Sequence, residues 1–389
     1  MNWFRTSRFL RVVFGTLACA ACLLPRVNAC TIFVLTDTNR ALFCNNEDWS
    51  NPKTRIWFVP AGEGYHGCAY VGFDNGWAQG GLNTEGLAFD WVAGFKEEWQ
   101  PGPEMRRVRG NSSQRMLETC ATVEDAVAYY RKHREPAFSY AKILVADRTG
   151  TSVIIGAKDG RLHVEKANQC RGFGYGQRTL DEMLAKNPEP AVASGAKILR
   201  ACVQKGQCAT KYSNVFDLKS GDISLVLFPD QDEGVQLNLG AELEKGGHYY
   251  DIPQVRPQLA QAPRPLLNNM RRFVLDELKP IPDKDTQVTK HLRALLEDAL
   301  SGAMRPDDYT AEFWREISPK QAELQADLKG LGNLVSMTLV DRTSEGDKRI
   351  YRYRLEFEKV TVLQCYVLDG QRKVALTESE VSERKPDPK

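Results

Sequence analysis

Little in this chain of 389 residues points to a charged or metallic partner. Lys and Arg number 52, Asp and Glu 50. Setting aside the four arginines among residues 1–29 leaves 48 basic residues against 50 acidic, a formal −2. There is no long basic run, so nucleic acid is not an expected partner. The five histidines, His66, His133, His163, His248 and His291, make no pair at metal-ligand spacing, and no metal or other cofactor is expected. A Gly-x-Ser-x-Gly elbow and a phosphate loop are both missing. Cys-x-x-Cys occurs once, at Cys19 and Cys22. Beyond residue 24 no apolar run approaches the roughly 20 residues that a membrane helix needs, so no membrane span is expected. The composition, 42% hydrophobic and 26% charged, excludes a disordered polymer, a collagen and a coiled coil.

What is present begins at the amino terminus. Arg5, Arg8 and Arg11 precede a short apolar run over residues 12–24, and Val27-Asn28-Ala29 follows with small or modest residues at its ends. This is the pattern of an export signal cleaved after Ala29. It predicts a periplasmic or secreted protein in an oxidising compartment. Cleavage there makes Cys30 the first residue. An amino-terminal Cys in an exported protein has two common meanings. One is a lipid anchor, for which residues 27–30 form a passable box. The other is a nucleophile whose thiol and α-amine belong to one residue, the amine serving as base because its ordinary pKa is about 7.7–8.0.

The residues after Cys30 favour the nucleophile. The β-branched run of residues 31–36, the turn-forming cluster Asp37-Thr38-Asn39-Arg40 and the run of residues 41–46 predict a hairpin. With Asp37 and Arg40 as the last pair, paired positions sum to 77 and Cys30 lies opposite Glu47. The string Asn45-Asn46-Glu47-Asp48-Trp49 is then delivered beside the Cys30 amine and thiol. A flexible lipid tether needs no such arrangement. A second hairpin is expected around Asn83-Thr84-Glu85-Gly86, which places Asn83 at a strand end where its amide could donate to a developing oxyanion.

Three stretches in order, Ala29-Cys30-Thr31, then Asn45-Asn46-Glu47-Asp48-Trp49, then Gly81-Leu82-Asn83-Thr84-Glu85-Gly86-Leu87, resemble the choloylglycine hydrolase and penicillin V acylase family over roughly residues 30–250. The resemblance implies an α+β fold, a four-layer αββα N-terminal nucleophile hydrolase sandwich, with hydrolysis of carbon–nitrogen bonds in linear amides. It implies Cys30 as nucleophile, Asp48 holding the α-amine and Asn83 in the oxyanion hole. Asn45, Asn46, Trp49 and Gly81 would support the site or bind substrate. Two departures stand out. Asn45 occupies the position of the Arg that bile-salt and penicillin hydrolases carry. The later Thr-Asn pair is replaced by Arg171-Gly172-Phe173-Gly174-Tyr175-Gly176, whose backbone N–H groups are the expected substitutes. Arg178 and Arg200 are the candidates for a downstream Arg.

Elsewhere, helical spacing runs over residues 113–130, 177–185 and 193–203, and strands are expected over 141–146, 152–156, 212–217 and 223–228. Trp49, Trp57, Trp77 and Trp91 read as core, with one or two lining an acyl site. Eight cysteines follow residue 29, seven besides Cys30, an odd set that cannot all pair internally. Cys202 and Cys208 could bridge a short loop or stay reduced. Pro253, Pro257, Pro263 and Pro265 mark a boundary. The expected organisation is a signal at 1–29, a hydrolase domain at 30–252, a Pro-rich linker at 253–287, a small α+β module at 288–377 and a disordered tail at 378–389. Within the module a helical stripe ends at Gly302, a capping box starts at Ser318, and three strands follow. Arg352, Arg354, Glu356 and Glu358 form a solvated strand face.

Together these features predict an exported cysteine amidohydrolase that cleaves a small-molecule linear amide, an acyl-amine or acyl-amino-acid conjugate, through a thioester acyl-enzyme. Two alternatives remain: an acyltransferase with an amine acceptor, and a lipid-anchored binding protein on the same fold without turnover. Homo-oligomerisation is left open.

Overall fold

The first hairpin folds about the turn its residues dictate. β1 (Thr31–Thr36) and β2 (Ala41–Asp48) pair antiparallel with Thr31 opposite Asn46 and Thr36 opposite Ala41, the register in which paired numbers sum to 77. Asp37 closes the turn. Its N–H donates to the Arg40 carbonyl, and its carboxylate accepts from the N–H groups of Asn39 and Arg40, each at 2.7 Å, which is the Asx chemistry that makes Asp a turn residue. This computed structural model describes residues 30–108, 110–206, 208–226, 234–255, 264–265, 275 and 278–384. The expected signal lies outside the described residues.

The described residues fall into two units, one up to Pro265 and one from Leu275 onward. In chain order the first continues with β3 (Thr54–Val59), β4 (Cys68–Phe73), β5 (Ala78–Asn83), β6 (Ala88–Ala93), the short parallel pair β7 (Arg106–Arg107) and β8 (His133–Arg134), then β9 (Ala141–Ala146), β10 (Ser152–Lys158), β11 (Arg161–Ala167), β12 (Arg171–Gly174), β13 (Thr210–Asp217), β14 (Asp222–Val226), β15 (Val235–Asn238), β16 (His248–Asp251) and β17 (Arg264–Pro265). Five helices punctuate them: α1 (Ser112–Thr119), α2 (Val123–Lys132), α3 (Gln177–Leu184), α4 (Val192–Ala201) and α5 (Leu239–Leu243). A six-stranded antiparallel sheet runs β12-β1-β2-β13-β14-β15. A nine-stranded one runs β11-β10-β9-β6-β5-β4-β3-β16-β17.

Strand alternation explains why β1 and β2 read as unbroken apolar runs: both faces of this sheet are covered. Ile32, Val34, Phe43 and Phe216 pack against Ile56, Phe58, Val71, Leu82 and Leu144 of the other sheet. On the outer face Phe33, Leu35, Leu42 and Cys44 pack against Leu180, Leu184, Ile198 and Leu199 of α3 and α4. The nine-stranded sheet carries α1 and α2 on its own outer side, with Met116, Leu117, Val123 and Ala126 buried. The unit is therefore a four-layer αββα sandwich. The helical spacing over 113–130 resolves into two helices because two caps intervene. Asn111 accepts from the N–H groups of Ser113 and Gln114 to start α1, and Thr122 with Asp125 forms a capping box that starts α2. The Pro-rich stretch is not only a linker, since Arg264 and Pro265 pair with Tyr249 and His248 as an edge strand. Pro is tolerated there because an edge need not donate inward.

The second unit holds α6 (Thr286–Ser301), α7 (Ala311–Ile317), α8 (Gln321–Gly330) and a four-stranded antiparallel sheet, β18 (Leu334–Glu345), β19 (Lys348–Phe357), β20 (Val360–Leu368) and β21 (Val374–Arg384). Val288, Leu292, Leu295 and Leu296 of α6 pack with Tyr351, Tyr353, Leu355 and Phe357 of β19. Gly302 caps α6 at φ 80°, where glycine carries no Cβ penalty. Three expectations are corrected. Residues 318–320 form a 3₁₀ turn running on from α7, with no side-chain cap at Ser318. Residues 378–384 are strand, paired along β20. Arg352 is buried, donating to Glu380 at 3.0 and 2.8 Å and to Asp341 at 3.3 Å, so the charged face hides an ion cluster that solvation alone does not explain.

Candidate active site

The same alternation sorts the polar string of β2 between two environments. Phe43 faces the second sheet and Cys44 faces the helices, so Asn45 and Glu47 point inward and Asn46 outward. Cys30 shares the inner layer with Ile32, Tyr212 with Phe216, and Asp90 lies between inward-facing Ala88 and Val92. Cys30, Asn45, Glu47, Asp90, Tyr212 and Asn214 thus converge between the sheets, all buried. Asn45 is directly opposite Asn214, and Glu47 opposite Tyr212.

Cys30 is held at both of its polar backbone atoms. Its N–H donates to Asp48 Oδ2 at 3.0 Å and its carbonyl accepts from the Tyr175 N–H at 2.7 Å. Thr31 Oγ1 donates to the Tyr175 carbonyl at 2.9 Å. The residue takes φ 66°, an uncommon left-handed conformation for a side-chain-bearing residue. Close approach of β12 demands glycine: a Cβ on Gly174 would lie 2.2 Å from the Cys30 carbonyl oxygen, at φ 137°. The thiol accepts from the Asp48 N–H at 3.5 Å and donates to Glu47 Oε1 at 3.7 Å. Asp48 is braced in turn. Its Oδ1 accepts from Thr210 Oγ1 at 2.5 Å, and Thr210 Oγ1 accepts from the Gln204 N–H at 2.9 Å. One Asp48 oxygen is therefore fixed by a hydroxyl while the other meets the Cys30 nitrogen.

Electrostatically the layer is poor in compensation. Burial pushes the Cys30 thiol well above its ordinary range, with Glu47, Asp48 and Asp90 adding to the rise, so the resting group is a neutral thiol. Burial lifts Asp48 to about 7 against the pull of Thr210, the Cys30 N–H and Lys211. Burial, then Asp90 and Asp48, raise Glu47 well above the carboxylate range, and burial raises Asp90 to about 8. Asn45 Nδ2 reaches Glu47 Oε2 at 3.5 Å. Asn45 Oδ1, Asp90 Oδ2 and both amide atoms of Asn214 have no hydrogen-bond partner, an arrangement that is costly in a dry interior.

Of the residues expected from sequence, Cys30, Asp48 and Asn45 meet here, and four do not. Asn83 donates both amide hydrogens to the carbonyls of Leu117 and Cys120 at 2.8 Å, accepts from the N–H groups of Glu85 and Leu87, and gives its own N–H to Leu87. Its donors are spent on tying the hairpin to the end of α1, which corrects its assignment to an oxyanion hole. Asn46 secures α4 through the carbonyls of Leu199 and Cys202, its oxygen accepting from Ser213 at 2.6 Å. Gly81 makes room for α1, since a Cβ there would lie 2.9 Å from Leu117 Cδ2. Trp49 packs on Phe73, and Trp57 lies against Tyr70 in the core.

The Gly-rich stretch also differs from expectation. The Gly174 N–H donates to Gln177 and the Tyr175 N–H to Cys30 itself, so neither serves an oxyanion. Arg178 pairs with Glu182 on the exposed side of α3, and Arg200 is exposed on α4. None of the eight described cysteines is in a disulfide. Sequence reasoning placed Glu47 but gave it no role, and it missed Asp90, Thr210, Tyr212 and Asn214. The signal for Asp90 was available: an acid at an inward position of the strand Ala88-Phe89-Asp90-Trp91-Val92 breaks an otherwise apolar face. Among the described residues no group of His, Cys, Asp or Glu could hold a metal, and no helix is long and apolar enough to cross a membrane.

No family model matches the chain, and no curated protein sequence does. Among solved structures the chain is similar to a penicillin V acylase from Agrobacterium tumefaciens, at 15% identity and a TM-score of 0.46, covering 57% of this chain and 91% of that one. Two mutants of the conjugated bile acid hydrolase from Clostridium perfringens are similar at 13% identity, with TM-scores of 0.45 and 0.46, each covering 57% of this chain and 95% of the other.

Proposed function

We propose that this protein is a cysteine amidohydrolase of the N-terminal nucleophile type, matured by export and cleavage before Cys30. One observation carries the reading: the Cys30 nitrogen is bonded to a braced Asp48 carboxylate while its thiol sits beside the same residue. In the processed chain that nitrogen is an α-amine. An amine so held has a fixed position relative to its own thiol, which is what nucleophilic catalysis by a terminal residue requires. The thiol attacks the carbonyl carbon of a linear amide, the amine of the substrate leaves, and water hydrolyses the thioester. Burial of Cys30 at 6% exposure disfavours the lipid-anchor alternative, because a diacylglyceryl group needs an exposed tether.

The test is to insert one alanine ahead of Cys30 in a protein otherwise processed normally. The amine becomes an amide, and hydrolysis of an N-acyl-4-nitroanilide should be lost while the thermal transition persists. Retained turnover by the extended protein would refute the terminal-nucleophile reading.

A further inference from the structure

We propose that the second unit carries a binding site of its own, for a free α-amino acid with an apolar side chain, in the cleft between the start of α6 and the β20–β21 hairpin. The site requires nothing of Cys30. The cleft has a volume of about 320 Å³, and small-ligand sites run from about 300 Å³ upward. Three stretches far apart in sequence build it: the first turns of α6, the 3₁₀ turn Pro306–Asp308 and the hairpin loop at residues 369–373. A parallel bridge between Tyr309 and Val374 ties the last two together, with the Thr310 N–H donating to the Val374 carbonyl at 2.9 Å.

Val288 and Leu368 give the cleft an apolar floor, both being part of the unit's buried core. The other lining groups carry both signs of charge. Arg372 and Lys373 are basic, His291 adds an imidazole and Asp307 a carboxylate. Asp308 is already committed to Arg305, at 3.1 Å. Among the described residues, the side chains of His291, Asp307, Arg372 and Lys373 enter no hydrogen bond or ion pair. Opposite charges that line one cleft without meeting are satisfied together by a ligand bearing both: an ammonium for Asp307 and a carboxylate for Arg372 and Lys373. α6 runs for 16 residues from Thr286, so its positive end also favours the carboxylate. The side chain of the ligand then rests on Val288 and Leu368.

The hairpin loop is built to hold Arg372 in place. Asp369 Oδ1 accepts from the N–H groups of Gln371 and Lys373 at 2.9 and 2.8 Å, and the Arg372 N–H donates to the Asp369 carbonyl at 3.0 Å. Arg372 takes φ 66°. It is the last residue of a three-residue hairpin loop, the left-handed position where glycine is the unstrained choice. The residue is exposed, so no packing rewards a side chain there. Strain kept at an exposed arginine that lines a cleft points to a use for its guanidinium.

The experiment titrates free leucine into the full-length protein by isothermal calorimetry. Two analogues run beside it: 3-methylbutylamine, which lacks the carboxylate, and 4-methylpentanoate, which lacks the ammonium. Leucine should bind, and each analogue should bind at least about tenfold more weakly. Arg372→Gly and Asp307→Asn should each weaken leucine binding by about 10–100-fold. Arg372→Gly also relieves the left-handed strain, so its thermal transition should not fall, which separates lost binding from lost folding. Three results would overturn the proposal. Leucine might give no binding heat up to about 10 mM, which leaves the cleft without this ligand. Leucine binding unaltered in both variants would put the amino acid elsewhere on the chain. Either analogue binding as tightly as leucine would mean that the cleft does not read both charges.

Discussion

Replacing Asp90 by Asn should make the sandwich more stable, and only at high pH. Asp90 is fully buried, with one oxygen accepting from the Trp91 N–H and the other without a partner. Its folded pKa rises from 3.8 to about 8, chiefly by burial. A carboxyl raised on folding keeps its proton in the native state after the unfolded chain has lost it. Stability therefore falls as pH climbs from about 4 through about 8, and levels off above. A rise of about four units at about 1.4 kcal/mol each sets a ceiling near 5–6 kcal/mol. Relaxation of the interior around the charge leaves roughly half of that, about 3 kcal/mol. Asn keeps the acceptor for Trp91 and carries no charge at any pH. Denaturant unfolding of wild type and Asp90→Asn at pH 4.5 and pH 9 would measure this. Tryptophan fluorescence mainly reports the first unit, where Trp49, Trp57, Trp77, Trp91 and Trp99 lie, with Trp314 in the second. The variant should gain about 3 kcal/mol over wild type at pH 9 relative to pH 4.5. A difference that does not change with pH would refute the claim that burial holds Asp90 neutral.

Three further outcomes are expected. Asp48→Asn should lower turnover on the order of 10²-fold with the fold retained, because the amine loses its anionic anchor; steady-state kinetics beside a thermal melt would show it. Asn83→Ala should destabilise by about 2–3 kcal/mol, through lost buried hydrogen bonds to Leu117 and Cys120, yet leave thiol reactivity in place. A loss of 10²–10³-fold in turnover without destabilisation would restore it as an oxyanion donor. Gly174→Ala should cost about 2–4 kcal/mol by denaturant midpoint, since its Cβ would enter the space of the Cys30 carbonyl.

Local chemistry made the first hairpin legible. Asp37 and Asn39 specify the turn, and the turn fixes a register that brings Glu47 opposite Cys30. The two-sheet sandwich was legible only through resemblance, because strands buried on both faces lose the period-two pattern. Asn83 misled for a physical reason. A strand-end amide can serve an oxyanion or tie down a helix end, and only the position of α1 decides between them. The same holds for β21, where Glu378, Glu380 and Glu383 read as a solvated tail until Arg352 is found beneath Glu380. Asp90 and Asn214 come to Cys30 from strands 60 and 184 residues away in sequence, so no local signal joined them to it.

A terminal-nucleophile mechanism requires that the mature chain begin with an unmodified, reactive Cys30. Intact-mass analysis of protein purified after export, before and after reaction with 4-nitrophenyl butyrate, tests it most directly. The expected product is a chain starting at Cys30 that gains one butyryl group, mapped to that residue and released by hydroxylamine as a thioester. A diacylglyceryl mass on Cys30, a chain beginning elsewhere, or an acyl group on another residue would contradict it.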